Sequence, residues 1–238
     1  LIDVIASEPR IVKYIDMPLQ HASDRMLRAM QRVRDKKFIA GLLKKLRDRI
    51  DGLTLRSSFI VGFPGETEED FEELKAFIQE QRFDHVGVFE FSREEGTTSY
   101  DLPDQLPKRL KASRRKAAMK IQRAISKERM AAFVGREIDV LVEGQSPESE
   151  LLLQGRHAGQ APEIDGAVYI NDGTASAGDI VRVKVEQAGD YDLVGGITSV
   201  VYTPSKRVPG RKAVKRPSSQ PEQQPVSRKL LNVLPMRH

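Results

Sequence analysis

The chain has no cysteine and no tryptophan among its 238 residues. The first absence excludes disulfides, thiolate zinc sites and cysteine-ligated iron–sulfur clusters within these residues. The second, with aromatics at only 6%, excludes an aromatic-rich binding module. Long apolar runs are missing too. No stretch approaches the roughly 20 residues that span a bilayer, so no membrane partner is expected. A charged-then-apolar leader is also absent, and the expected compartment is the cytosol. The chain opens on Leu1 rather than Met, in what reads as the last turn of a helix (Leu1, Ile2, Val4, Ile5). That opening suggests a preceding portion.

Hydrophobic residues make up 39% of the chain, enough for a core, and charged residues 31%. The length allows one large domain or two small ones. The net charge of +5 hides a partition. Residues 1–132 hold 26 Lys+Arg against 21 Asp+Glu. Residues 133–202 hold 4 against 12, a net −8, and residues 203–238 hold 9 against 1, a net +8. An acidic region between two basic ones says more about partners than the total does.

The first region alternates strand and helix. Tyr14 to Leu19 reads as a short strand, and Ser23 as the N-cap of a helix carrying Met26, Leu27 and Met30. Ile39, Leu42, Leu43, Leu46 and Ile50 share one face of a second helix. Leu53 to Val61 is the next strand. Thr67 caps a helix whose first turn holds Glu68, Glu69 and Asp70, acids suited to the positive helix end. Asp84 to Phe91 is a third strand, and Pro107 to about Ala132 a long basic helix. Strands joined by single helices imply parallel pairing and an α/β fold, here part of a (β/α) barrel. Five short β runs follow: Ile138–Val142, Leu151–Gln154, Ala167–Ile170, Ile180–Val185 and Asp192–Val201. Their spacing suggests a small OB-like antiparallel barrel. The expected organisation is a barrel portion over 1–132, a β-barrel domain over 133–202 and a disordered basic tail over 203–238.

The sharpest local feature runs Ser58-Phe59-Ile60-Val61-Gly62-Phe63-Pro64-Gly65-Glu66-Thr67. A strand ends, two glycines bracket a proline, and an acid-rich helix begins. The glycines allow a backbone to approach a ligand, at the strand ends where parallel α/β folds place ligands. Alone, such a turn is more often a tight connection than a site. It is not alone. Ile60 to Glu66 resembles the segment on the fifth strand of radical-SAM enzymes that packs against the adenine of S-adenosylmethionine. Met17-Pro18-Leu19-Gln20-His21-Ala22-Ser23-Asp24, with Leu27, Met30 and Arg32, resembles the fourth strand and helix cap of the methylthiotransferases in that family. Phe89 to Thr97 resembles their sixth strand and exit loop, and the residues after Val134 their TRAM domain. The resemblance covers about residues 1–200. In detail, Pro18-Leu19-Gln20-His21-Ala22-Ser23 and Ser92-Arg93-Glu94-Glu95-Gly96-Thr97 look like the branch that methylthiolates an aspartate of small-subunit ribosomal protein twelve. The tRNA adenosine branch and a non-catalytic interaction module are the alternatives. The −8 region favours a basic protein over a phosphate backbone.

The resemblance implies S-adenosylmethionine and two 4Fe-4S clusters in the intact enzyme. One cluster cleaves the cofactor to a radical that abstracts hydrogen from the aspartate β-carbon, and the other supplies sulfur. Both cluster ligand sets are cysteine triplets, which this chain lacks, so no catalytic residue and no metal ligand is assigned here and the chain alone is expected to be inactive. His21, His85 and His157 show no metal-ligand spacing. What the resemblance carries over is the adenosine side of the pocket. Gln20 and Ser23 are candidates for ribose or carboxylate contacts, Ile60 and Gly62 for packing on adenine, Arg56 for the cofactor carboxylate and Phe91 for stacking. Each has a plainer reading: Ser23 a helix cap, Arg56 a strand cation paired with a nearby acid, Ile60 and Phe91 core. Glu66 orients the turn or caps it. The implied partners are a basic ribosomal protein on the acidic TRAM domain, and the ribosome or RNA on the basic tail.

Overall fold

A computed structural model describes residues 1–205 and resolves two compact units, one of residues Leu1–Ser126 and one beginning at Lys127. The expected basic tail lies almost wholly outside the described residues.

The first unit runs α1 (Ile2–Ser7), β1 (Tyr14–Asp16), α2 (Asp24–Ala29), α3 (Lys36–Arg49), β2 (Thr54–Val61), α4 (Glu68–Gln81), β3 (His85–Glu90) and α5 (Lys108–Ala131), whose last residues belong to the second unit. The strands form a parallel sheet in the order β1-β2-β3. Three helix starts follow from side-chain caps: Ser23 on α2, Asp35 on α3, and at α4 a reciprocal box between Thr67 and Asp70. Strand β2 alternates strictly. Leu55, Ser57, Phe59 and Val61 are buried, while Thr54, Arg56, Ser58 and Ile60 are half-exposed on the opposite face. The buried face meets Leu43, Leu46 and Ile50 near α3, Phe71, Leu74, Phe77 and Ile78 of α4, and Ala118 and Ile125 of α5.

Strand β1 is shorter than the expected Tyr14–Leu19. Pro18 has no N–H to give the ladder. The pairing resumes only as a single bridge, where Gln20 donates to Ser58 and accepts from Ile60.

The second unit holds β4 (Glu137–Ser146), β5 (Ser149–His157), β6 (Val168–Asp172), β7 (Ile180–Ala188) and β8 (Leu193–Tyr202), closed into a barrel in the order β4-β5-β6-β8-β7. Closure leaves no edge within the ring. Its pairings are antiparallel except β6–β8, which is parallel, a feature that strand spacing alone does not reveal. The interior is aliphatic: Val140, Val142, Val168, Ile170, Val181, Val183, Val185 and Leu193. Strands approach closely at Gly155, where a Cβ would lie 2.5 Å from the carbonyl oxygen of Leu141, and at Gly195, where it would strike the carbonyl of Lys184.

Candidate functional site

Local structure first fixes the turn after β2. Gly62 and Gly65 have φ of +75° and +76°, the left-handed region that glycine enters without strain. At Gly62 a side chain is doubly excluded, because its Cβ would strike the stem of Lys111 on α5. The turn is then held by one buried carboxylate. Glu66 is 4% exposed. Its Oε2 accepts from the Gly62 amide and lies 3.3 Å from Nη1 of Arg114, and its Oε1 lies 3.4 Å from Nε2 of His21. The amide of Ser23 donates to Nδ1 of His21 at 3.0 Å. The imidazole proton therefore sits on Nε2, directed at Glu66. Arg114 also donates to the Glu66 carbonyl at 3.0 Å and to Glu68 at 3.1 Å, and its guanidinium lies over the ring of Phe71.

A second buried carboxylate ties the turn to α2. Asp70 accepts from Ser23 Oγ at 2.6 Å, from Arg25, and from the amide and hydroxyl of Thr67. Burial pushes this carboxyl up, but the hydrogen bonds from Arg25, Ser23 and Thr67 outweigh it and hold Asp70 well below the usual carboxylate range. Arg25 also donates to the Gly65 carbonyl at 2.7 Å, and the Gly65 amide donates to Asp104 at 3.0 Å. The amides of Gly62 and Gly65 are thus both spent inside the protein. The turn offers a ligand a rigid wall to pack on rather than a nest of free donors.

The six residues singled out from sequence do not form one cluster. Arg56 and Ile60 share the open face of the sheet. Ile60 is in register with Phe89, and Arg56 with Asp16 and His85. Phe89 is 46% exposed, and Gly87 gives it room, since a Cβ there would sit 3.0 Å from the ring. Arg56 makes an ion pair with Asp16 at 2.7 Å, the plainer of its two readings. Gln20 stands beside this face at the bridge to β2, with a φ of +71° that is rare for a side-chain-bearing residue. Gly62 closes the end of the strand. Ser23 is elsewhere: it is 2% exposed, and its hydroxyl is spent on Asp70 and the cap of α2. Phe91 stands beside Gly62 in the backbone, its amide donating to the carbonyl of Val61 at 2.9 Å, but its ring is taken up by other partners. Its ring meets Phe63 edge-on at 5.1 Å and lies under the Lys111 ammonium at 4.9 Å. It lines an open cleft of about 480 Å³ with Arg93, Gln105, Lys108 and Lys111.

Sequence reading missed His21, Arg114 and Phe89 as parts of this arrangement. The alternation of β3 carries the signal for Phe89, two residues from Gly87. No local pattern marks His21 or Arg114, whose partners lie 45 and 48 residues away.

Residues 1–78 match the family model of the Radical SAM superfamily, and residues 134–198 that of the TRAM domain. The chain is similar to proteins named ribosomal protein uS12 methylthiotransferase RimO. It is 53% identical over 234 residues to that of Anaeromyxobacter sp. (strain K), covering 98% of this chain and 48% of the relative. It is 56% identical over 197 residues to that of Myxococcus xanthus (strain DK1622), covering 83% and 41%. With the protein of Geobacter sulfurreducens it shares 49% over 199 residues, covering 84% and 44%. The chain spans about half the length of the curated relatives it matches.

Proposed function

The chain belongs to the radical-SAM methylthiotransferase family, and on that premise we propose that it works within an enzyme that adds a methylthio group to the β-carbon of an aspartate in a small-subunit ribosomal protein. The observation that carries the reading is the walled strand end. Ile60 and Phe89 give a flat apolar surface, Gly62 ends it without a side chain, and Glu66 fixes its geometry through Arg114 and His21.

The adenosine half of S-adenosylmethionine fits this surface. Ile60, with Gly62 beyond it, would hold the adenine, and Gln20 would reach the ribose or carboxylate. Phe89 is better placed than Phe91 to extend the packing. Arg56 would turn its charge to the cofactor carboxylate only at the cost of its pair with Asp16. Ser23 serves by holding Asp70 and the turn. When bound with its cluster, the cofactor supplies the carbon radical for the chemistry. The clusters do not fit this chain: it has no cysteine, so their ligands come from residues outside these 238, and the chain by itself does not turn over.

We place the functional division at 132/133, one residue past the end of α5, although the compact units part at 126/127. The region 133–202, with 12 acids against 4 cations, takes the basic ribosomal protein. Two of the four cations, Arg156 and Arg182, are already ion-paired there with Glu143 and Asp139. The test is product analysis of the full-length enzyme, supplied with the ribosomal protein and with tRNA. A methylthio mass gain on one aspartate of the protein is expected. The same gain on tRNA adenosine, with none on the protein, overturns the assignment.

A further inference from the structure

The apolar wall on β2 and β3 ends in a cleft of different character. Lys111 joins the two. Its stem lies against Gly62, where a Cβ would sit 2.4 Å from the lysine Cγ, and its ammonium donates to the carbonyl of Phe91 at 3.0 Å. The cleft beyond holds about 480 Å³, and Glu90, Phe91, Arg93, Gln105, Lys108 and Lys111 are among its lining residues. Its outer wall is tied down. The side-chain amide of Gln105 donates to the carbonyls of Leu102 at 3.1 Å and Ser99 at 3.4 Å. Arg93 donates from Nε to the carbonyl of Tyr100 at 2.6 Å, and its guanidinium lies 4.2 Å from the centre of that residue's ring. The guanidinium is thus held in place by one of its nitrogens.

Three cations and one acid, Glu90, line this small space, a net +2. Among the described residues none of the four is in an ion pair. The other cations around the strand ends are committed: Arg25 to Asp70, Arg56 to Asp16, and Arg114 to Glu66 and Glu68. Lys108 and Lys111 stand three residues apart on α5, a spacing at which like charges repel. One bound anion relieves that repulsion. The concave shape favours a compact anion over a polymer, because a nucleic-acid backbone is neutralised by a line of cations. Glu90 would also oppose each added phosphate. A single carboxylate on an extended segment fits in volume and in charge.

In the transfer proposed above, the reacting carbon is the β-carbon of an aspartate, and the carboxylate is one bond away from it. A site that presents this carbon at the wall must receive the carboxylate beside it. Without a cation there, the charge would be desolvated and unpaired. We infer that the cleft at the end of β3 is the substrate-carboxylate pocket, in which Lys108, Lys111 and Arg93 grip the side-chain carboxylate of the target aspartate. The inference rests on the transfer reading for the source of the carboxylate, and on the cleft alone for its chemistry. It also supplies specificity: asparagine has the same shape but would leave three cations unanswered.

The first test is nuclear magnetic resonance on the whole chain. N-acetyl-aspartate N-methylamide is titrated in, with the asparagine analogue as its neutral match. Saturable shifts at the amides of Gly62, Phe91 and Lys111 are expected with the first and not with the second. Lys108→Met/Lys111→Met keeps helix propensity and most of each stem, and should weaken binding about tenfold. Lys116→Met/Lys120→Met removes the same charge from exposed positions further along α5 and should match the parent. Lys108→Met alone, at an exposed position, should weaken binding about threefold and keeps the test open if the pair loses its fold. Glu90→Gln should tighten binding about twofold, by removing a like charge. Absent shifts, equal shifts with both analogues, or equal weakening in the two double variants would overturn the proposal. The second test identifies the source of the carboxylate. In the full-length enzyme, Lys108→Met/Lys111→Met should raise KM for the ribosomal protein about tenfold and leave KM for S-adenosylmethionine unchanged. A rise for S-adenosylmethionine alone would give the cations to the cofactor carboxylate and overturn the proposal. If the full-length parent modifies no ribosomal protein, the transfer reading falls and the aspartate assignment with it, while the titration still decides whether the cleft takes a carboxylate.

Discussion

The two units bury different things. Around the turn after β2, the first unit buries His21, Ser23, Glu66, Asp70 and Arg114, all hydrogen-bonded to one another or to the turn. The barrel interior of the second is valine, isoleucine and leucine, and the polar groups it buries, Ser146, Gln160 and Asp179, lie at strand ends and turns. An aliphatic interior suffices to hold a shape. Buried charge does not increase stability as such, because desolvation offsets the attraction. It does fix one geometry, since each group has few arrangements that satisfy it. The contrast marks the first unit as the place where position matters and the barrel as a frame for its surface.

The strongest way to break this contrast is to remove Arg114. Arg114→Ala strands Glu66 beside His21 and should cost about 3–5 kcal/mol of unfolding free energy in urea titrations. Arg114→Met with Glu66→Gln should recover part of that loss, because no buried charge is left alone. A cost under about 1 kcal/mol for Arg114→Ala would show that the network is ornamental. Next comes Leu193→Ala in the barrel, where a cavity replaces a fully buried side chain and about 3 kcal/mol is expected. This loss should be the same at every pH, which is what separates it from the third test.

Asp70→Asn should cost about 2 kcal/mol at neutral pH, through the lost charged hydrogen bonds and cap. Because the pKa of Asp70 is depressed in the folded state, its contribution is complete above the ordinary carboxylate value of about 3.9. It drains away as pH falls below that value toward the folded one. Melting temperatures of parent and variant should therefore converge in strong acid, and a constant gap down to the lowest pH would refute the linkage. The smallest effect belongs to the barrel surface. Arg156→Gln breaks a partly exposed pair with Glu143 and should change stability by about 0.5 kcal/mol.

Much of the frame could be read from the chain. Ser23 and Thr67 announced their helices by residue type, and the alternation through Leu55, Ser57, Phe59 and Val61 placed Arg56 and Ile60 together on the other face. The turn was legible from its glycines. What holds the turn was not. A histidine and an arginine look alike whether solvated or buried, and the bonds from His21 and Arg114 to Glu66 cross more than forty residues of sequence. For the same reason the hydroxyl of Ser23 looked free for a ligand, although Asp70, 47 residues away, already holds it. Phe91 shares the parity of Phe89, but it lies past the end of β3, where Phe63 and Lys111 take its ring.

One feature of the parallel sheet bears on how the molecule behaves in a tube. Among the described residues β1 and β3 are outer strands, each paired on one side only. The exposed Phe89 and half-buried Ile60 lie on the face between their borders. Unpaired strand borders beside an apolar patch are templates for another copy. Self-association that rises with protein concentration is the expected outcome, and light scattering across a dilution series checks it. Dilution, and additives that occupy the strand borders, are the first variables to control when this chain is handled by itself.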